Sequence, residues 1–502
     1  MDMDIIQQAF QIFFAVNNFI AIFAGVVIGV IVGAIPGMTT PMGVALVLPF
    51  TFTMQPVTGI LLLLGVYKGG LYGGSITAIL IKAPGTPAAS CTVLDGFPMA
   101  QKGEAQKALD MALYASCFAD FMSNLSLILF TGALAGFALR FGPPEFFTLI
   151  VFSLTIIAGV SGDSLAKGIL SASLGLILAT IGLDIVYGTN RFIFGEVELM
   201  GGLSFIPVLI GLFALPEILN QFTIQMEKRA SANALGQVGA TWQDFKKCFK
   251  AIMRGSIIGV ILGAIPGIGG SPAAFLSYSE AKRTSDHPET FGRGEIEGVA
   301  AAESGNNGTA GATMIPLLAL GVPGDVITAV ILGAFMIHGL RPGPVMFEQN
   351  LNLIYAIFMG IMLSSAYLFI VGKVSIKAIS KIANIPNNLL YPAVLVLCVY
   401  GAYAIHTNVF DVLVMFLVGI LGFAMLKLDI PAAPFLIAFI LGPLLEDNFR
   451  QGLLMGDGDV SIFFRNEICA IFWGLTAFSV YFMVRNHIRA KRRKKPAGSV
   501  FP

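Results

Sequence analysis

The chain has 502 residues, of which 56% are hydrophobic and only 12% charged, with a mean hydropathy of +0.83. Soluble domains carry about 25% charged residues, so a water-soluble globular class is excluded. The formal net charge of +1 says little about partners, because in a membrane protein the loops that carry the charge decide, and the expected fold is an all-α polytopic membrane protein of about 10–12 transmembrane helices at about 20 residues per span.

The start, MDMD, is acidic, and no basic residue precedes Lys68. The cationic region of a secretory signal peptide is therefore missing, and the run IIQQAFQIFFAVNNFIAIFAGVVIGVIVGAI is expected to stay as the first span, with its N-terminal end outside. That run closes in GAIPGMTTPMGVA, residues 33–45, where Pro36 and Gly37 interrupt the apolar pattern and Thr39 and Thr40 follow. Proline removes a backbone donor and clashes with the preceding turn, and glycine permits the bend, so main-chain N–H and C=O groups are released at membrane depth. The next long run ends in GGSITAILIKAPGT, residues 73–86, with a second break at Pro84-Gly85 between Lys82 and Thr86.

A first membrane repeat is accordingly assigned to 1–224. The hydrophilic stretch 225–254 carries Lys228, Arg229, Lys246, Lys247, Lys250 and Arg254 against Glu227 and Asp244, and a short basic linker of this kind stays in the cytoplasm. A second repeat follows over 255–445. It opens with GAIPGIGGSPAA, residues 263–274, which repeats the Pro-Gly break at Pro266-Gly267 and continues through Gly269, Gly270 and Ser271. Next comes Glu303 with Asn306 and Asn307, and then AGATMIPLLALGVPGD, whose Pro323-Gly324 precedes Asp325. The remaining segments are a C-terminal loop and helix over 446–485 and a basic tail over 486–502. Tail residues such as RNHIRAKRRKK, directly after an apolar helix, are read as a cytoplasmic topology anchor rather than a nucleic-acid site.

Two matched breaks in each half, with the first repeat entering from outside and the second from the cytoplasmic linker, predict two inverted-topology repeats with re-entrant or broken helices. Lipid cannot satisfy freed backbone groups, so they persist only where they are buried in protein or line a wet cavity. Small and hydroxylated residues around the breaks suit a carboxylate held by amides and hydroxyls, with a sodium ion or proton nearby; the sodium positions considered lie near Gly37, Gly267, Asn306 and Asn307. Close helix packing is the alternative use of such small residues. The five cysteines and four histidines are scattered without metal-ligand spacing, so no zinc, cofactor or thiol chemistry is expected. No Walker motif appears, which leaves an ion gradient as the energy source for uphill transport.

Four phrases carry a family resemblance: GAIPGMTTPMGVALVLPFTF; YGGSITAILIKAPGTPAASCTVLDGFPMAQKGEAQKAL; GAIPGIGGSPAAFLSYSEAKR; and FGRGEIEGVAAAESGNNGTAGATMIPLLALGVPGDVITAVILGAFMIHGLRPGP. In content, order and length the chain resembles the large membrane subunit (TctA type) of the tripartite tricarboxylate transporters. The resemblance implies import of small organic carboxylates, a periplasmic solute-binding protein and a small four-helix membrane subunit as partners, a bacterial inner membrane, and an elevator-like movement. The family's motif residues fall on Pro36, Gly37, Pro84, Gly85, Thr86, Asp95, Gly96, Pro98, Pro266, Gly267, Gly269, Glu303, Asn306, Asn307, Pro323 and Gly324.

Two departures accompany it. Where the family pattern reads N-x-P-G, this chain has Lys82 as the first residue, and where a small residue follows the partner break it has Asp325. One reading pairs Lys82 with Asp325, the ammonium replacing a coupling cation or binding substrate and the carboxylate balancing it or taking the proton. The other has Lys82 snorkelling and Asp325 capping the helix that follows. Asp95 is read as shaping a turn and capping the following helix, and Glu303 as touching the site or holding the two asparagines. The resulting expectation is a secondary carrier, not an enzyme, since no Ser-His or HExxH pair is placed to react; a passive organic-anion channel or facilitator is the competing class.

Overall fold

In a computed structural model of the chain, the structure describes residues 3–160, 164–184, 187–223, 238–382 and 387–493, with side chains described except at 377–389 and 486–493. Residues 225–237 of the basic linker, with Lys228 and Arg229, and the tail beyond 493 lie outside the described residues. Helices follow in the order α1 (Met3–Phe13), α2 (Val16–Gly33), α3 (Thr40–Val47), α4 (Pro56–Ile81), α5 (Ala89–Gln101), α6 (Ala105–Ala138), α7 (Pro143–Val160), α8 (Leu165–Ala179), α9 (Phe205–Thr223), α10 (Trp242–Gly263) and α11 (Gly270–Thr284). The second half continues with α12 (Ile296–Asn307), α13 (Thr309–Ala312), α14 (Met314–Leu320), α15 (Val326–Ile337), α16 (Pro344–Gln349), α17 (Leu351–Ile382), α18 (Asn387–Ala404), α19 (Val409–Lys427), α20 (Ala432–Met455), α21 (Ile462–Arg465) and α22 (Glu467–Arg493).

Among the described residues eight helices are long and apolar enough to cross a membrane, and five shorter apolar helices, such as Val326–Ile337, accompany them. The fold is thus an all-α polytopic membrane protein with broken helices. The first apolar run is two helices rather than one span. It breaks at Phe14 and Ala15, and the Asn18 amide donates to the Ile12 carbonyl at 2.6 Å while its oxygen accepts from Thr58 Oγ1 at 2.5 Å.

The chain divides into two compact units, one formed by Met1–Leu139 with Ser204–Phe423 and the other by Arg140–Leu203 with Ala424–Pro502. Each unit therefore draws on both sequence halves. Two of the expected segment boundaries fall inside helices. The linker's end at 254 lies within α10, because Thr241 and Asp244 form a reciprocal capping box that starts the helix at Trp242. The boundary at 445 lies within α20, which continues through its charged stretch because Glu446 pairs with Arg191 at 2.8 Å and with Arg450 at 2.7 Å.

In the larger unit, α2 and α4 lie backbone to backbone. Added side chains at Gly25, Gly29 or Gly33 would meet main-chain atoms of Leu62, Val66 and Gly70, a small-residue seam that lets membrane helices approach closely. The two repeats build the same local arrangement. Gly33 faces Gly70 as Gly263 faces Thr309; Thr40 faces Gly70 as Gly270 faces Thr309; and Gly74 faces Gly85 as Thr313 faces Gly324. The duplicated helices also run in opposite senses. Tyr67 Oη lies 3.2 Å from Thr313 Oγ1, whereas Ser75, two turns further along α4, donates to Glu303 at 2.5 Å, so the α12–α14 stretch descends as α4 ascends. That is the inverted relation the repeated breaks predicted.

Candidate functional site

All four Pro-Gly breaks are real interruptions, and each leads into a helix. Gly37 and Gly267 both sit at φ +87°, a left-handed backbone that glycine adopts without steric cost. The two breaks of the second repeat touch directly: Gly267 N donates to Gly324 O at 2.7 Å. In the first repeat Gly85 N donates to Gly74 O at 3.2 Å, and Gly85 packs on the Gly33 backbone.

Three of the helices that follow the breaks are closed by a hydroxyl or carboxylate. Thr39 Oγ1 accepts from Met42 N at the start of α3 (3.4 Å), and Thr86 Oγ1 from Ala89 N at the start of α5 (3.2 Å). Asp325 Oδ1 accepts from Thr328 N at 2.7 Å and completes a capping box on α15. The fourth helix, α11, begins after Gly269 at φ +65° and has no side-chain cap. Its first-turn N–H groups have no intrahelical acceptor.

The neighbours of that helix end come from several breaks. A Cβ on Gly270 would lie 2.5 Å from Asn306 Oδ1 and 3.7 Å from Ala88 Cβ, and one on Gly269 would lie 3.4 Å from Asp325 Cβ. Asp325 Oδ2 accepts from Tyr67 Oη at 3.0 Å, tying α4 to the last break. Asn306 is 1% exposed, yet neither its Nδ2 nor its Oδ1 has a hydrogen-bond partner, and the buried Thr40 hydroxyl has none either. Buried amides are ordinarily satisfied.

Asn307 behaves differently. Its Nδ2 donates to Ser116 Oγ at 2.8 Å and to Glu303 O at 3.1 Å and Oε2 at 3.3 Å. Consecutive helical residues point about 100° apart, so one asparagine is consumed by the core and the other faces the break. Glu303, with no exposure, also accepts from Ser75, from Thr92 and from Ser116 at 3.0 Å. It holds Asn307 but not Asn306.

The structure does not bring every expected site residue to this place. Pro36 and Gly37 face elsewhere: Tyr391 Oη donates to Pro36 O at 3.3 Å, and a Cβ on Gly37 would lie 2.6 Å from Gln221 Nε2 and 3.1 Å from Glu217 Oε1. Lys82 and Asp325 form no ion pair. The exposed Lys82 ends α4 at φ +59° with its ammonium 5.9 Å from the Phe97 ring centre, while Asp325 serves as the cap described above. Asp95 does not cap the helix after it. It lies fully buried within α5 and accepts from Gly292, Gly294 and Glu295 N at 2.8–2.9 Å and from Tyr278 Oη at 2.8 Å. It thereby fixes the loop entering α12, and residues 291–295 are held rather than freely solvated.

Sequence reasoning also missed a buried charge cluster. Lys68 Nζ donates to Asp120 Oδ2 at 3.1 Å, Asn124 Oδ1 at 2.9 Å and Ile361 O at 3.1 Å. A lysine inside LLLLGVYKGGLYGG was the available signal, since intramembrane charge is costly unless partnered.

Comparison with known proteins agrees with this architecture. The family model described as "Tripartite tricarboxylate transporter TctA family" matches residues 19–437. A relative from Agrobacterium vitis, "Uncharacterized 52.8 kDa protein in TAR-I ttuC' 3'region", is 38% identical over 477 residues, covering 95% of each chain. A second from the same organism, "Uncharacterized protein in TAR-II ttuC' 3'region", is 38% identical over 234 residues, 47% of this chain and 97% of that protein. No solved structure matches significantly.

Proposed function

Because the chain belongs to the tripartite tricarboxylate transporter TctA family, we propose that it is the carrier subunit of a secondary transporter for small organic carboxylates. In this reading it receives substrate from a periplasmic solute-binding protein, pairs with a small four-helix membrane subunit in the bacterial inner membrane, and is driven by a sodium or proton gradient through an elevator-like movement.

One observation carries the placement of the substrate: the unpartnered Asn306 amide at the uncapped N-terminus of α11. A helix N-terminus favours negative charge and presents free N–H groups. A substrate carboxylate bound there accepts from those groups and from Asn306 Nδ2, while Asn306 Oδ1 remains as an acceptor for a cation or a substrate hydroxyl. Thr40, whose hydroxyl is likewise unpartnered and which packs against Gly70 of α4 one turn from Tyr67, is a second candidate donor. We assign ion coupling to Asp325, which Tyr67 links to the opposite repeat, and an electrostatic role toward the incoming anion to Lys82.

The test is uptake into proteoliposomes holding this subunit and both partners, scanned over di- and tricarboxylates with and without sodium and a pH gradient. Saturable uptake that follows one gradient and is lost in Asn306→Ala supports the carrier. Uptake that neither saturates nor responds to a gradient fits a channel instead. Unchanged ion dependence in both Lys82→Asn and Asp325→Ser removes those two residues from coupling.

A further inference from the structure

The first Pro-Gly break faces a carboxylate that the transport reading does not use. Glu217 lies in α9, within the apolar stretch Phe205–Gln221, and is half-buried. The volume that a side chain on Gly37 would fill is ringed by polar atoms. Its Cβ position lies 2.6 Å from Gln221 Nε2, 2.7 Å from Tyr391 Oη and 3.1 Å from Glu217 Oε1. Gln221 donates to Glu217 Oε1 at 2.9 Å, and Tyr391 donates to Pro36 O at 3.3 Å.

The charge at this nook is one-sided. No Lys, Arg or His occurs in α9, in α3 and α18, which pack against it, or in α2, whose carbonyl end leads into the break. α19 also meets α9, at Gly419 and Gly422 against Leu215 and Pro216, and its single basic residue, Lys427, lies more than a turn further along. Among the described residues Glu217 joins no ion pair. An intramembrane carboxylate is costly without a counter-charge, and the C-terminal end of α2 adds partial negative charge beside it. The second repeat has no such surplus: Gly267, the counterpart of Gly37, donates to Gly324 O, and Asp325 is taken up by Thr328 and Tyr67.

We propose that a sodium ion supplies the missing charge, held between the Glu217 carboxylate and Pro36 O, with Tyr391 fixing that carbonyl from behind. Gln221 adds an oxygen when its amide turns over and presents Oε1 in place of Nε2. Unwound carbonyls beside the C-terminal end of a half-helix are suited to a coordinated cation. Bound there, the ion ties α9 to the first break. Its role as a coupling ion rests on the transport reading, whereas its binding does not.

The test melts the purified full-length chain in sodium chloride and in choline chloride at equal ionic strength, without substrate or partner subunits. Sodium should raise the melting temperature saturably. Glu217→Gln should lose that increment yet melt no lower than wild type in choline, because it removes an uncompensated carboxylate and keeps its shape; a merely structural Glu217 would cost stability in both salts. Tyr391→Phe should raise the half-saturating sodium concentration about tenfold, the effect of losing a partner behind a metal ligand. Glu348→Gln, at an exposed carboxylate on α16, should leave it unchanged. The proposal is overturned if wild type shows no sodium increment, if the increment survives in Glu217→Gln, or if acid stabilises wild type in place of sodium, which would make Glu217 a proton site. Saturable sodium binding lost in Glu217→Gln, together with reconstituted uptake that ignores every gradient, supports the ion site and removes the transport reading instead.

Discussion

Lys68 and Asp120 form an ion pair at 3.1 Å with 2% and 1% of their side chains exposed. The pair is embedded in further polar contacts, since Ser365 Oγ donates to Asp120 at 2.5 Å and Asn124 Nδ2 donates to Ser365 at 2.8 Å. It joins α4, which carries the Tyr67 that meets Asp325, to α6 and α17. Removing one partner of a buried pair leaves the other uncompensated, at a cost of about 3–5 kcal/mol, whereas replacing both with apolar residues is often tolerated. Lys68→Met and Asp120→Leu should each lower the thermal stability of the purified protein sharply, and the double variant should recover most of the loss. Additive losses in a double-mutant cycle would mean that the two charges do not stabilise one another.

The neighbouring asparagines should separate in their effects. Asn307 is consumed by Ser116 and Glu303, so Asn307→Ala leaves a buried carboxylate short of a donor and should cost about 1–3 kcal/mol of stability. Asn306 has no partner to lose, so Asn306→Ala should leave the melting temperature nearly unchanged while abolishing carboxylate-dependent stabilisation of the protein. Melting curves with and without a panel of carboxylates check both expectations together.

Lys82 occupies a left-handed backbone at φ +59°, where glycine and asparagine are the residues found at helix ends. Lys82→Asn and Lys82→Gly should therefore stabilise the fold, by about 0.5–1 kcal/mol for a relieved αL residue. Thermal unfolding reports this apart from any change in uptake, and a loss of stability in both variants would show that the Lys82 side chain itself supports the break.

Asp244 lies at the start of α10, outside the apolar part of the helix. Partial burial pushes its pKa up, but hydrogen bonds from the Thr241 hydroxyl and backbone N–H, together with Lys107, outweigh that and hold it at about 2. Its unfolded value is near 3.9. A carboxylate depressed on folding contributes stability that is complete above the unfolded value and is lost as pH falls through the folded one. Melting temperature should therefore decline between about pH 4 and 2 partly through this cap, and Asp244→Asn should show a shallower decline over that window.

Hydropathy, low charge and the matched Pro-Gly pairs determined the membrane class, the all-α content, the two repeats and the positions of the breaks. These are local properties: an apolar run fixes a span, and proline or glycine ends it wherever they fall. Glu303 and Asn306 were legible as polar residues on an apolar background, but their roles were not. Only the tertiary structure decided that Asn307 is buried in a hydrogen-bond network while Asn306 faces the end of α11, because a single residue's rotation on a helix reverses its surroundings. Likewise, Asp95 anchors a loop about two hundred residues away, and Asp325 meets Tyr67 rather than Lys82. Such partners lie far apart in the chain, and helix packing brings them together.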